Sequence, residues 1–546
     1  MRTKYVDALS LFFIITIGLW VNWSGLIATG FWWTDEARHA MHGAFFADFL
    51  QDMPLNDPYD YVQRYFAQYP ALAFNWYLPF FPIAMGLIML VIGPSEFAAH
   101  STIVLFWLIG VIAWYRWLIP RSDPWMALTV ALVLLTAPVV VLWGRSVMLE
   151  APAVGLCMLS VLFFQRYLDR PGHVTAINAG LVIMATLLVK QTTLFILPVL
   201  ALHALSSAQG RSALWKKEAG WGIFLTILAL IIIAFHAIKF GPDVVMSSGS
   251  YENVTGHVYL WTWDRWIMYA ASLDKAVGSI ISILALAGLL LSVYHRERNL
   301  FILPLSWLVS SYILCTMLAG TPGNNERYAF YAMPAIAFFA AYGIHYFRDA
   351  LVNRWIWTLV IAIPTTQHFI SAINTEHLFM AGYETAAEAV YNLPNNGTIL
   401  FAGKHDGNFI FHLRQLDQDR QRVILRGDKT LLEMSVLKEF GIKSHVSSAL
   451  DVDALLDKNW VRWIVIESRN LVGLKEFDLL FEAMNGPKYR LVQKIPTSTN
   501  VTKFQDIDVL IYENMRLKLP PDRRVWIDYP YLDKTYSFSF QTSIAN

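Results

Sequence analysis

Apolar runs of membrane-spanning length recur along the first two-thirds of the chain, separated by short polar or basic links. They cover Ala8–Gly30, Phe74–Ile92, Phe97–Ile119, Trp125–Leu142, Ala151–Leu168, Val174–Leu205, Gly220–Phe240, Ala276–Tyr294, Leu300–Leu318, Tyr328–Phe347 and Trp355–Ile373. A helix needs about 20 apolar residues to cross a bilayer, so each run is a candidate span. After Asn374 the pattern changes. Short runs rich in β-branched residues, starting at Thr398, Val423 and Trp463, read as buried strands, with Leu491–Ile495 and Val509–Tyr512 as further ones. Thr430–Phe440 and Phe477–Met484 read as helices between them. This alternation predicts a small α/β sandwich of Rossmann-like type. The chain therefore divides into a membrane domain, 1–374, and a soluble domain, 375–546.

Basic residues in the short links orient the spans. Arg2 and Lys4 put the N-terminus in the cytoplasm. Arg116 with Arg121, Arg166 with Arg170, Arg211 with Lys216 and Lys217, Arg296 with Arg298, and Arg348 with Arg354 belong on the same side. Two segments are decided by this rule. Phe74–Ile92, with Pro79 and Pro82, is a juxtamembrane or re-entrant helix on the outer side, since a full span there would turn Arg116 and Arg121 outward. Val174–Leu205 is two short spans hinged at an outward tip, Lys190-Gln191-Thr192-Thr193. About eleven spans result, with the C-terminal domain outside.

Composition agrees with this class. The 546 residues are 56% hydrophobic and only 15% charged, against about 25% charged in an ordinary soluble protein. A net charge of +1 with no basic block gives no reason to expect a nucleic-acid partner. Cys157 and Cys315 lie inside apolar runs and read as buried thiols. Met1–Asp7 is short and basic, and the run after it lacks a small-residue cleavage site, so it reads as a retained span.

The polar chemistry collects in the outer loops. Phe31–Leu50 follows the first span with an aromatic pair, Trp32 and Trp33, at interfacial depth and then adjacent carboxylates, Asp35 and Glu36. The plain account is capping, with Thr34 or Asp35 as N-cap and Glu36 favoured by the macrodipole. The functional account is a base held at the membrane surface. A second loop holds Arg145 and Glu150; a third, Gly241 to about Lys275, holds Asp243, Glu252, His257, Asp264 and Arg265; a fourth, TPGNNERY, presents Glu326 and Arg327. Arg145, Lys190 and Arg327 all fall near the outer surface, where they would serve either lipid headgroups or an anionic substrate. Asp35, His39 and Glu150 together would make a metal site, against which stands the plainer reading of an interfacial polar face. Gly403–Asn408 sits at a strand's C-terminal end, where such sheets bind ligands, but lacks a G-x-G-x-x-G pattern and reads as a turn. The chain contains no G-x-x-x-x-G-K-[ST] motif and no kinase set, which fits a lipid-borne rather than nucleotide-borne substrate.

In order and context the first 370 residues resemble the GT-C glycosyltransferases, in the branch of protein O-mannosyltransferases, aminoarabinose transferases and lipopolysaccharide glycosyltransferases. The resemblance rests on TDEARHAMHGAFFADFL after the first span, YPALAFNWYLPF leading into a juxtamembrane helix, GPSEFAAHSTIVLFWLIGVIAWYRWL, WGRSVMLEAPAV, ATLLVKQTTLFILPVLAL and ERYAFYAMPAIAFFAAYGI. It implies a GT-C fold with juxtamembrane helices in the first outer loop, in a multi-pass protein of a bacterial inner or plasma membrane. It further implies a polyprenyl-phosphate sugar as donor, and transfer with inversion to a lipid, polysaccharide or protein on the extracytoplasmic face. Asp35 carries over as catalytic base and Glu150 as the second-loop acid, where many relatives have Asp. Relatives that handle aminoarabinose have Lys before the first-loop proline, whereas Tyr69 precedes Pro70 here. Adjacent helical residues point about 100° apart, so Asp35 is assigned as base and Glu36 as a supporting acid, with Arg145, Lys190 and Arg327 as candidates for the donor phosphate. The alternatives are a transporter or a membrane-anchored sensor. The first should show repeats and mid-span charges, and the second leaves the first-loop acids unexplained.

Overall fold

The computed structural model describes residues 2–74, 77–255, 263–295, 298–318, 326–350, 366–434, 442–529, 532 and 534–540. α1 (Arg2–Leu26) is followed by three outer-loop helices, α2 (Thr34–Asp52), α3 (Pro58–Gln68) and α4 (Phe80–Ile92). The bundle continues with α5 (Glu96–Leu118), α6 (Pro124–Thr136), α7 (Pro138–Gly144), α8 (Glu150–Asp169), α9 (His173–Leu187), α10 (Ile196–Leu205) and α11 (Ala208–Leu214). Then come α12 (Ala219–Thr255), α13 (Trp263–Val277), α14 (Ser279–His295), α15 (Arg298–Leu318), α16 (Met333–Ala350) and α17 over 366–374.

Six helices are long and apolar enough to cross a membrane among the described residues, or eight if each of two bent pairs is one span. The chain is an integral membrane protein. One bent pair is α6 and α7, which meet at 58°; Pro138 brings no N–H to the helix ladder and opens it there. α4 holds 13 residues, about 20 Å of helix, too short to span, as the juxtamembrane reading requires. Its outer side exposes Ile83, Leu87, Leu90 and Val91. The run 174–205 breaks where expected. α9 ends at Leu187, Lys190 is extended, and a 3₁₀ turn, Gln191–Phe195, leads into α10. Thr193 closes the break with its hydroxyl, whose oxygen lies 2.9 Å from the Thr186 carbonyl and 2.8 Å from that of Lys190, so its one hydrogen is shared between them. Cys157 and Cys315 are buried and are not joined in a disulfide.

The third outer loop differs from expectation. α12 runs unbroken for 37 residues to Thr255, so the Ser- and Gly-containing stretch from Gly241 continues the helix. His257 lies outside the described residues, as do 321–325 of the fourth loop and most of the expected span Trp355–Ile373.

α5 and α8 cross closely. A Cβ on Gly110 would lie 2.3 Å from the Gly155 Cα, so the crossing requires two small residues. Both helices begin at the same end of the bundle, with Glu96 and Glu150. At the opposite end Asp7 pairs with Arg116 at 2.6 Å, and Arg121 lies within electrostatic reach of Asp169.

The C-terminal domain contains β1 (Met380–Ala381), α18 (Tyr383–Tyr391), β2 (Thr398–Ala402), α19 (Asp406–Leu416), β3 (Ile424–Arg426), α20 (Gly427–Thr430), β4 (Leu432–Met434), β5 (Ile442–Ser444), α21 (Ala449–Lys458), β6 (Val461–Glu467), α22 (Lys475–Met484), β7 (Tyr489–Pro496), β8 (Ser498–Thr499), β9 (Asp508–Asn514), β10 (Arg524–Tyr529) and β11 (Lys534–Ser539). The main sheet has the order β3-β2-β6-β9-β7; the first three strands are parallel, and β9 and β7 run antiparallel. All five expected strands are there, and Phe477–Met484 falls in α22. The helix expected over Thr430–Phe440 is absent at its start, where β4 pairs antiparallel with β5.

Candidate active site

α2 sets the geometry. The helix opens at Thr34 with Trp33 as N-cap, and neither Thr34 nor Asp35 caps it. Glu36 takes that task. One carboxylate oxygen accepts the Trp33 N–H at 3.1 Å and the other accepts the Val147 N–H at 2.7 Å. Glu36 therefore ties the first turn of α2 to the second outer loop. The Trp32 indole adds a second tie by donating to the Ser146 hydroxyl at 3.2 Å. Burial lifts Glu36 to about 8, even though the Val147 and Trp33 amides pull it back.

Asp35, one residue earlier, points elsewhere. It is half-buried and has no hydrogen bond or ion pair to any described residue. Tyr77 and Arg327 both lie within its electrostatic reach. The Tyr77 hydroxyl is also within electrostatic reach of Arg38 and Glu150.

Those groups form a compact cluster. Glu150, the first residue of α8, is fully buried. Its Oε1 lies 2.7 Å from Lys190 Nζ and 3.6 Å from Arg327 Nε, while Oε2 has no hydrogen-bond partner among the described residues. Lys190 reaches it because the chain is extended at the break between α9 and the 3₁₀ turn. Arg327 reaches it from a second 3₁₀ turn, Glu326–Ala332, that precedes α16. The two turns are joined by a 2.6 Å hydrogen bond between the Thr192 and Tyr331 hydroxyls. Tyr328 lies under both cations, its ring centre 5.9 Å from Lys190 and 5.3 Å from Arg327.

The site thus brings together Asp35, Glu36, Glu150, Lys190 and Arg327, with His39 packed 4.4 Å from the Tyr77 ring. Arg145 is not among them. Its guanidinium donates to the backbone carbonyls of Val21 at 2.8 Å, Ala372 at 3.1 Å and Thr375. It fastens the end of α1 to the end of α17, and every arm of the fork is occupied. Among the described residues no group of three or more His, Cys, Asp and Glu side chains is placed to hold a metal ion. The combination Asp35, His39 and Glu150 is not assembled as a ligand set, since Glu150 is directed at two cations. Burial drives His39 down to about 3, so it is neutral in the folded protein.

Two residues escaped the sequence reading. Tyr77 closes an aromatic segment and carried no separate signal. Tyr328 follows Arg327 directly, and only the meeting of two distant turns gives it a role.

The crest of the C-terminal sheet is filled from within. Glu467, at the end of β6, accepts the Lys404 and His405 N–H groups at 2.9 Å each, the Tyr383 hydroxyl at 2.6 Å, and lies 2.9 Å from His405 Nδ1. Burial alone would raise its carboxyl; His405 and these donors more than offset it and hold it below the ordinary range. The amides that a ligand phosphate would take at the head of α19 are thus given to an internal carboxylate.

No family model matches the chain, and no curated protein matches its sequence. Solved structures match by fold. ArnT from Cupriavidus metallidurans bound to undecaprenyl phosphate is similar over 92% of this chain and 97% of its own, with a TM-score of 0.57 at 12% identity. The Archaeoglobus fulgidus oligosaccharyltransferase in the apo form is similar over 85% of this chain and 70% of its own, with a TM-score of 0.54 at 12% identity. The same enzyme in complex with Zn and sulfate gives 85% and 68% coverage and a TM-score of 0.52 at 13% identity. The chain has the GT-C fold: a helical membrane bundle with outer-loop helices, followed by a domain that contains strands.

Proposed function

We propose that this GT-C chain transfers a sugar from a polyprenyl-phosphate-linked donor to a hydroxyl-bearing lipid, polysaccharide or protein on the extracytoplasmic face, with Asp35 as general base. The observation that carries this reading is the division of labour in the first turn of α2. Glu36 does the capping, and Asp35 is left with a carboxylate that has no hydrogen bond or ion pair to any described residue, within electrostatic reach of Tyr77 and Arg327. The reaction asks for few groups. Asp35 accepts the proton of the acceptor hydroxyl as its oxygen attacks the anomeric carbon. The bond from that carbon to the phosphate oxygen breaks on the opposite face, its electron pair leaves with the polyprenyl phosphate, and the sugar inverts. Lys190 and Arg327 stabilise the departing phosphate. Glu150 pre-orients both cations, and Glu36 fixes the helix that carries the base. Arg145, spent on carbonyls, belongs to the scaffold.

Asp35→Asn separates catalysis from structure, because the amide keeps the size of the acid and the helix already has its cap. With purified protein and a synthetic polyprenyl-phosphate sugar, the variant should fold normally and lose about 10²–10⁴-fold in rate. Turnover near the wild-type rate would remove Asp35 as base and leave only the likeness of fold. Comparing the glycolipids and glycoproteins of a strain with and without the gene, by mass spectrometry, would identify the sugar and the acceptor.

A further inference from the structure

The segment that aims Asp35 is held from outside the membrane domain. Between α1 and α2 the chain runs through residues 27–33, and Gly30 adopts a φ of +86° that an L side chain rarely takes. Its N–H donates to Glu96 Oε1 at 2.8 Å, and a Cβ at Gly30 would fall 2.0 Å from the Met380 carbonyl oxygen. The next carbonyl, that of Phe31, accepts the Asn408 side-chain amide at 2.7 Å. Asn408 is 1% exposed. The Phe31 ring packs edge-on against Phe411 and face-on against His412.

Three consecutive residues at the head of α19 meet the segment around Asp35. Asp406 lies between Arg38 at 3.5 Å and Arg426 at 2.8 Å. Gly407 is pressed on Ala37, where a Cβ would come within 2.9 Å of the alanine's own. Asn408 takes the Phe31 carbonyl. The contacts thus fall four residues before Asp35 and two and three after it, while the Asp35 carboxylate itself has no hydrogen bond or ion pair to any described residue.

Docking of the domain does not need this clamp. Farther along α2 and α3, Arg414 binds Asp48 through both arms of its fork, the Tyr69 hydroxyl donates to Asp417 at 2.7 Å, and Arg420 pairs with Asp52. Asp48 is thirteen residues from Asp35 in the sequence, roughly 20 Å along the helix. From this separation of docking and aiming contacts we infer that the C-terminal domain positions the catalytic base, and that Asn408 is the positioning residue. The inference rests on Asp35 being the base. A donor is required opposite the Phe31 carbonyl. Asp at 408 would set a carboxylate against it, and Ala would leave it buried without a partner.

The test uses the full-length protein in lipid nanodiscs with a polyprenyl-phosphate sugar. A displacement of about 1 Å can cost about 10²-fold in rate. Asn408→Asp and Asn408→Ala should therefore lower kcat by roughly 10–10²-fold with the donor KM unchanged. Arg420→Gln, at the far end of the same interface, should keep the wild-type kcat. Because Asn408 acts through Asp35, Asp35→Asn combined with Asn408→Asp should be no slower than Asp35→Asn alone. Wild-type kcat in the Asn408 variants would overturn the inference. So would losses that multiply in the double variant, an equal loss in Arg420→Gln, or failure of both Asn408 variants to fold, which would make the residue a folding determinant. These outcomes leave the base assignment intact if Asp35→Asn is inactive. An active Asp35→Asn removes the base first and this inference with it.

Discussion

Adjacent carboxylates at the mouth of a membrane helix look interchangeable in a sequence and are not. Helix geometry sends Glu36 back to two backbone amides, while Asp35 has no hydrogen bond or ion pair to any described residue. Their burial has a consequence in pH. Glu36 is raised from 4.5 to about 8; the stability this contributes is present below pH 4.5 and is lost as pH rises through 8. His39 is lowered from 6.5 to about 3, by burial first and by Lys190 and Arg327 against the pull of Glu150; its contribution is full above pH 6.5 and is lost as pH falls towards 3. Thermal midpoints followed against pH should therefore fall off on both sides, with the alkaline limb flattened in Glu36→Gln and the acid limb reduced in His39→Gln. Limbs that are unchanged in both variants would assign the pH dependence to other groups. The three cations divide in the same way. Lys190→Gln and Arg327→Gln should each cost about 1.5–3 kcal/mol in donor binding or rate, the weight of a charged hydrogen bond. Arg145→Gln leaves three carbonyls short of a donor, so it should lower thermal stability while the donor KM stays at the wild-type value. A raised donor KM in Arg145→Gln would return it to the phosphate.

At the scale of elements, α2 and α19 form the joint on which the site depends. Arg414 and Asp48 are both buried there, with the Tyr65 hydroxyl donating to Asp48 at 2.6 Å. Breaking a buried pair by removing one partner leaves an uncompensated charge and costs about 3–5 kcal/mol. Asp48→Ala should be destabilised by that amount, and Asp48→Ala with Arg414→Met by less, measured by thermal unfolding in detergent; equal losses would mean that packing, not charge, holds the joint. Which of these elements could be read in advance follows from their physics. α2, α5 and α8 announce themselves by apolar length or by acids in the first turn. The five sheet strands do so by unbroken β-branched runs. LeuLeuGluMet from Leu431 shows helical spacing, yet β4 is only three residues long, too short for period two to assert itself. Gly403–Asn408 reads as a turn because Gly407 and Asn408 are poor helix formers, yet α19 starts at Asp406; the structure uses those same two residues for their fit against Ala37 and Phe31. The charged residues of the candidate site could be named one by one, but Tyr77, Tyr328, the Lys190–Glu150–Arg327 grouping and the tie from Glu36 to Val147 could not. Each joins positions tens or hundreds of residues apart, and no periodicity encodes such a meeting.

For the whole molecule, the question is which side of the membrane the site faces. α5 and α8 both start at the site end with an acid and run away from it towards Arg116, Arg121, Arg166 and Arg170. Asp7 meets Arg116 at that far end, so the N-terminus lies there too. Basic residues in short links favour the cytoplasm, which predicts a cytoplasmic far end and an extracytoplasmic site end. The C-terminal domain lies on the same side as the site, because α19 lies along α2 and Lys534 on β11 reaches Asp60 on α3 at 3.0 Å. An alkaline phosphatase fused after Asn546 folds only outside the cytoplasm, and a green fluorescent protein at the same place only inside. The fusion should therefore give phosphatase activity and no fluorescence. A cysteine placed at Leu450, exposed on α21, should react with a membrane-impermeant maleimide in whole cells. Fluorescence with a silent phosphatase and an unlabelled cysteine would invert the molecule. Asp35 would then meet cytoplasmic substrates, and a donor whose sugar is presented on the outer leaflet would be the wrong partner for this site.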